Sequence, residues 1–468
     1  YFLHCITQLY SSTNDSNSNL ILDYWCPIDG GSGSIERYPS RQISLHKFVR
    51  LAGDLLVPAL YPAYVEMLTS ISNHPDASLH CFNLLKMNGL GSGGLSVNGG
   101  ANTISWDHFF TSLQQYFNNL RQESYHQHHP YQDTIYRTAP LARQMTKGIS
   151  PGEIQGLAAG LRLISTVSEN SDAARAAIVQ SPEWQPLLVM IGLLGCAVPT
   201  LIKAELLKTL ASLAKTADVA LQVWNGIEAS SFINKEIDSA APNTWTKCGF
   251  LMELESVESK NEEYPMTLAL LELLDVLTDN SYVMDPEDNQ TNAANASVPL
   301  SSSVSSTNKL FSLVVDDIYL RINSRAYKNS EEKWQISNAC LKIMYKLLRD
   351  FEPSKSTLYM EQAATSTAGF HLATCLLQPS ELLRLLLLTL NESCSIIEKF
   401  INDVPGRLEI ENSSLKVLQI LSRTLDVQPS IVKAARENHT SNFIFSGLDS
   451  LLFGINPRTS KADHVTTI

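Results

Sequence analysis

The chain has 468 residues, 44% hydrophobic and 18% charged, which is globular composition rather than that of a disordered tail. A net charge of -12 with no local basic block argues against nucleic acid, since phosphate binding needs concentrated Lys and Arg. The length allows several hydrophobic cores or an extended repeat array, and a protein partner or small ligand fits the acidic balance better.

The chain opens on "YFLHCITQLY", which has helical character and no initiator Met, so a piece of a longer protein is expected. Polar and Gly-rich stretches follow at Ser11 to Leu20 ("SSTNDSNSNL"), Asp29 to Ser34 ("DGGSGS") and Asn88 to Thr103 ("NGLGSGGLSVNGGANT"). Within the third, Gly89 to Gly94 matches G-x-G-x-x-G. Cofactor binding by that motif requires a strand leading into a helix; here a helical stretch, "SLHCFNLLKM", precedes it, and a loop is expected. The histidine cluster Tyr125 to Pro130 ("YHQHHP") reads as a polar loop, without H-E-x-x-H spacing for a catalytic metal.

Ser150-Pro151-Gly152-Glu153 supplies a capping Ser, a Pro at the first helical position and a Glu that closes a capping box. Ser181-Pro182-Glu183 repeats the Ser-Pro start before Trp184. Between and beyond these the helices repeat at an offset of 46, the distance from Asp172 to Asp218. Ala158, Leu161, Ile164 and Val167 align with Ala204, Leu207, Leu210 and Leu213, and Ala174 and Ile178 align with Ala220 and Trp224. HEAT and armadillo units recur at about 40–47 residues. A looser third copy runs from Leu415 through Leu421 into "DVQPSIVKAAR".

In "LIKAELLKTLASLAK", Leu201 to Lys215, the residues Ile202, Leu206, Leu207, Leu210, Leu213 and Ala214 make an apolar side too broad for one partner helix. Stacked repeats bury such a side against the units before and after it. Glu205, Lys208, Ser212 and Lys215 are left as a narrow polar face. Farther on, "ELESVESKNEEYP", Glu253 to Pro265, alternates acids with Lys260 and Ser residues as a solvated helix face does. Asp285 to Asn308 has the composition of a flexible insertion, and its sequons at Asn289 and Asn295 carry little weight without a secretory signal. Ser330-Glu331-Glu332 opens a helix whose apolar residues Ile336, Cys340, Ile343 and Leu347 step by four, three and four. The most apolar run, Leu382 to Leu390, is broken by Arg384 and is far short of the roughly 20 residues of a membrane span.

Strand patterns of useful length are missing, so the expected fold is an all-α solenoid of HEAT/armadillo-like repeats. Its expected segments are 1–88, 104–281 and 309–468, forming one continuous solenoid, with loop insertions at 89–103 and 282–308. The eight cysteines contain no C-x-x-C pair and read as small core residues in a reducing compartment. Neither a G-x-S-x-G elbow nor a Walker loop is present, so no enzyme activity, catalytic residue, metal site or cofactor is expected. Trp25, Trp106, Trp184, Trp224, Trp245 and Trp334 fit the core of amphipathic helices as well as an interface.

Several segments together resemble one family, the largest scaffold nucleoporins of the inner ring of the nuclear pore complex. They are "LDYWCP" (Leu22 to Pro27), "FVRLAGDLLVPALYPAYVEML" (Phe48 to Leu68), "SWDHFF" (Ser105 to Phe110), and the long stretch from Pro182 to Lys215. "EEYPMTLALLELL" (Glu262 to Leu274) and the stretch from Arg325 to Pro353 complete the set. The resemblance implies an α-solenoid with a structural job in nucleocytoplasmic transport at the nuclear envelope. It also implies partners among the linker nucleoporins, whose short helical segments lie in grooves of the solenoid, with no nucleic acid and no direct membrane span. Its partner-binding residues do not map onto numbered positions of this chain. A rival within the same fold class is a soluble, karyopherin-like transport receptor that binds cargo or Phe-Gly repeats.

Overall fold

The prevailing period of the sequence is that of the α-helix, and the computed structural model is all-α: among the described residues every regular element is helical. The described residues are 1–11, 20–25, 40–54, 56–90, 104–128, 150–230, 232–233, 249–280, 309–349, 351, 368–399 and 405–437. The chain divides into two units, Tyr1–Gly249 and Phe250–Ile468.

The first unit contains α1 (Phe2–Ser11), α2 (Ser40–Asp54), α3 (Tyr61–Ile71), α4 (Pro75–Leu90) and α5 (Trp106–His128). These are followed by α6 (Pro151–Asn170), α7 (Asp172–Val179), α8 (Pro186–Leu194), α9 (Thr200–Leu213) and α10 (Ala217–Ala229). One row consists of α1, α3, α6 and α9, each packed on the next. A second row backs it: α4 lies on α5, α6 and α7, and α8 lies on α5, α9 and α10.

The capping box at the start of α6 is formed as its spacing demands. Glu153 donates its backbone N–H to Ser150 Oγ at 3.3 Å, and Ser150 donates its own to Glu153 Oε2 at 2.8 Å. At the other end of the helix Ser171 closes α6 and caps α7, its hydroxyl accepting from the Ala174 N–H at 3.3 Å. Such caps satisfy donors that a helix start otherwise leaves unpaired.

The repeat at offset 46 is a repeat of packing. Ala158, Leu161, Ile164, Val167, Ala174 and Ile178 are buried, and so are their counterparts Ala204, Leu207, Leu210, Leu213, Ala220 and Trp224. Glu169 and Lys215, 46 positions apart, form an ion pair at 3.2 Å. The broad apolar side of α9 is covered, and burial goes further than expected: eleven of its fourteen residues are buried, Glu205 and Ser212 of the expected polar face among them. Each fully buried leucine there contributes about 2 kcal/mol relative to an exposed one.

In the second unit, α11 (Gly249–Glu253) runs into a π-helical stretch, Leu254–Glu258, and a last turn, Ser259–Asn261, that stops at Glu262 in the left-handed conformation. After it come α12 (Pro265–Asn280), a π-helical Ser312–Tyr319, α13 (Ser330–Arg349), α14 (Ala368–Leu377), α15 (Glu381–Lys399) and α16 (Arg407–Glu437). The row here is α12, α13, α16 and α15, with α14 set against α13, α16 and α15. The predicted core positions of α13, Ile336, Cys340, Ile343 and Leu347, are all buried.

Local expectations fail in several places. Ser181-Pro182-Glu183 does not start a helix; the chain turns through Trp184, Gln185 takes a left-handed φ of 43°, and α8 begins at Pro186, whose ring suits a first helical position. The third repeat copy is not a helix pair, because α16 passes unbroken through Asp426 and Pro429, held by the buried Val427 and Ile431. "ELESVESKNEEYP" is not wholly a solvated face, since its π-helical turn rotates Glu258 inward until only 1% of it is exposed.

Candidate interaction surface

The residues that could have carried chemistry fall into structural places. Gly89 and Leu90 are the last residues of α4, and residues 91–103 lie outside the described residues. The histidine cluster is helical rather than loop as far as His128, because no breaker precedes Pro130; His129 and Pro130 lie outside the described residues. No group of His, Cys, Asp and Glu among the described residues is arranged to hold a metal ion. Burial pushes the Cys81 thiol up to about 12 and raises that of Cys340 as well, so neither is a thiolate at neutral pH. No single described helix is long and apolar enough to cross a membrane.

The tryptophans are anchors of the stack. Trp25 Nε1 donates to the Ile71 carbonyl at 2.8 Å and Trp106 Nε1 to the Phe82 carbonyl at 3.0 Å. Trp184 Nε1 reaches Asp107 Oδ1 at 2.7 Å while its ring stacks on Phe110 at 4.8 Å. Trp224 and Trp334 are buried too, and Trp245 lies outside the described residues.

Glu258, missed in the sequence, fixes the start of α12. Its Oε1 accepts the N–H of Met266 at 2.6 Å and its Oε2 accepts the Thr267 hydroxyl at 2.6 Å. Burial dominates its titration and raises its pKa to about 7 in spite of those donors.

On the row of the first unit, charge ties neighbouring helices together. Arg162 of α6 donates from Nε to Glu205 of α9 at 2.9 Å and from Nη1 to Glu66 of α3 at 3.5 Å. Glu205, expected on a polar face, is therefore buried, and the guanidinium offsets a desolvation that an unpaired carboxylate could not bear.

The row of the second unit carries a cluster of cations. Asp275 of α12 holds Lys342 at 2.6 Å and Lys346 at 2.5 Å, and Lys346 also meets Asp279 at 2.5 Å. From α16, Arg423 donates to the carbonyls of Leu348, Arg349 and Phe351 and so closes the C-terminal end of α13. Lys416 lies 4.6 Å from the centre of the Tyr345 ring and donates to Gln419 Oε1 at 3.0 Å. Burial, and then the charges of Lys342, Lys346 and Arg349, lower its pKa against the opposing charge of Asp275. The i, i+4, i+7 spacing of Lys342, Lys346 and Arg349 was visible in the sequence as one basic helix edge; its acidic and basic neighbours on α12 and α16 were not.

The solvent side of α16 carries four leucines among the exposed Glu411, Ser422 and Asp426. Leu408, Leu415, Leu418 and Leu425 are 65%, 51%, 52% and 42% exposed. Steps of seven, three and seven put them on one helix face about 26 Å long.

Comparison with known proteins places these features in a family context. Residues 1–453 match the family model described as nuclear pore complex scaffold, nucleoporins 186/192/205. The chain is 34% identical to nuclear pore complex protein Nup205 of Homo sapiens, with 99% of this chain and 23% of that protein covered. It is 32% identical to the Nup205 of Drosophila melanogaster, with 99% of this chain and 21% of that protein covered. The chain thus spans less than a quarter of the length of these relatives.

Proposed function

Because the chain belongs to the nuclear pore complex scaffold family of nucleoporins 186/192/205, we propose that it is part of a structural component of the inner ring of the pore. In this reading it works at the nuclear envelope, without enzymatic activity, and supports nucleocytoplasmic transport by holding other nucleoporins in place. The observation that carries the reading is the family match over residues 1–453, on a chain whose helices bury their apolar sides against one another.

The partners are linker nucleoporins that bind through short helical segments. A row of helices offers long shallow channels between neighbours, and an amphipathic segment can lay its i, i+3, i+4 and i+7 residues along one. Apolar burial supplies the affinity, and the charge along the channel selects the partner. Pieces 1–88, 104–281 and 309–468 are the helical segments on which such channels are built.

Photobleaching of the tagged full-length protein tests the role. Residence at the envelope for hours is expected. Exchange within seconds would overturn it in favour of a soluble, karyopherin-like receptor.

A further inference from the structure

The start of α12 is gripped from two sides by carboxyl groups that belong to other elements. From the π-helical turn, buried Glu258 accepts the N–H groups of Met266 at 2.6 Å and Thr267 at 3.3 Å on Oε1, and the Thr267 hydroxyl at 2.6 Å on Oε2. From the first turn of α13, half-buried Glu332 accepts the N–H of Tyr264 at 2.6 Å. Pro265 has no N–H, so the two acids between them take the three backbone donors that this helix start leaves open.

We propose that Glu258 and Glu332 form a proton-operated clasp: with one proton on the pair, the strap Glu262 to Tyr264 is held between the α11 arm and α13, and as that proton leaves, Glu332 lets go of Tyr264 and the strap loosens. The clasp is a property of the second unit alone and does not depend on the scaffold role.

The geometry decides which arm yields. Glu258 is fixed by its three donors and by burial, whereas Glu332 reaches solvent, so repulsion between two ionised carboxylates is relieved on the Glu332 side. A proton on Oε2 of Glu258 does not cost it the Thr267 contact, because the Thr267 hydroxyl then accepts instead of donating. The strap also gains by release, since Glu262 stands at φ 58°, where a side chain is strained. It stays tethered by the Lys328 N–H on the Glu262 carbonyl at 3.0 Å and the Tyr264 hydroxyl on the Ala326 carbonyl at 2.8 Å, which keeps the opening local.

The charges around the pair are engaged elsewhere. Arg325 donates to the carbonyls of Asp317 and Ile318, and Arg321 meets Glu255 at 3.3 Å and Asp317 at 4.0 Å. Lys328 holds Glu263 at 2.7 Å, Lys333 holds Glu392 at 2.8 Å, and Glu331 takes Gln335 at 3.2 Å, while Lys260 and Glu262 are exposed. Burial raises the phenols of Tyr264 and Tyr327, so both stay neutral. Burial first, and then the charge of Glu332, lifts Glu258 to about 7; burial and the charge of Glu263 raise Glu332 as well. A raised folded-state value means that the closed clasp is favoured at low pH and is lost as the pH climbs through about 7.

Hydrogen–deuterium exchange of the full-length protein, read by mass spectrometry and corrected for the intrinsic pH dependence of exchange, tests the clasp. Protection of the peptide containing Tyr264 is expected to fall about fivefold or more between about pH 6 and about pH 8. Glu332→Gln, whose amide oxygen still accepts the Tyr264 N–H, should hold that protection constant across the range, and Glu258→Gln should do the same. A peptide from the capped start of α6 should keep its protection throughout. Three results would overturn the proposal: no change at Tyr264 in the native chain, a fall that persists undiminished in Glu332→Gln, or an equal fall at α6. If Glu258→Gln does not fold, the half-buried Glu332→Gln decides the matter alone.

Discussion

Replacing Gly160 by Ala sets two effects against each other inside α6. Helix propensity favours the alanine by up to about 1 kcal/mol. The added Cβ, however, would stand 2.0 Å from Phe109 Cε2 and 2.7 Å from two further ring atoms, where carbon contacts settle at about 3.5–4.0 Å. The ring has little room to yield. Phe109 is buried, edge-on to Phe110 at 5.7 Å, and Phe110 is stacked on Trp184. Overpacking costs about 1–3 kcal/mol, and disturbing the aromatic pair about 1 kcal/mol more, so a net loss of about 2 kcal/mol is expected. Gly152→Ala in the first turn of the same helix is the control: nothing lies within 4 Å of its Cβ, and the change should be neutral or stabilise by up to about 1 kcal/mol. Urea titration followed by tryptophan fluorescence, with hydrogen exchange localised to α6, measures both. Phe109→Ala should cost less in the Gly160→Ala background than in the native chain. If Gly160→Ala proved as stable as Gly152→Ala, the close approach of Phe109 to α6 would be refuted.

Glu258 and the cysteines give two further tests. The folded-state pKa of Glu258, about 7, lies above its ordinary value of 4.5, so folding takes up a proton between them. Its contribution is complete below pH 4.5 and is lost as the pH rises through about 7, a decline of at most about 3 kcal/mol. Melting curves from pH 5 to 8 should show that slope in the native chain and a shallower one in Glu258→Gln; equal slopes would remove the assignment. Iodoacetamide at neutral pH should label the exposed Cys5 and Cys394 quickly and the buried Cys81 and Cys340 only after unfolding. Peptide mass mapping reads the four rates, and equal labelling of Cys81 and Cys5 would contradict the burial.

Much of the architecture was legible because helical periodicity and capping chemistry are local. The capping box at Ser150 and the apolar steps of α13 depend on residues within a few turns of one another, and the offset of 46 between α6 and α9 is a comparison of two such local patterns. What escaped depends on pairs distant in the chain. Glu205 reads as solvent-facing on its own helix, and its burial becomes tolerable only with Arg162, 43 residues away. Glu258 turned inward because five residues form a π-helix, which no apolar spacing announces. The cation face likewise draws on α12, α13 and α16, and only its α13 edge has a pattern of its own. Asp426 resembled the turn residues Asp172 and Asp218, but the helix continues unbroken through it, with Val427 and Ile431 buried.

Pro429 sits on the exposed side of α16, inside a helix of 31 residues. Having no N–H, it leaves the carbonyl of Leu425 without its helical donor, on the side where water can supply one. A wet acceptor there slackens the outer wall of the coil while the inner wall, pinned by Val427 and Ile431, stays fixed. The helix therefore runs on past Pro429 to Glu437, because the lost bond falls where solvent can replace it and the packed side never meets the proline ring.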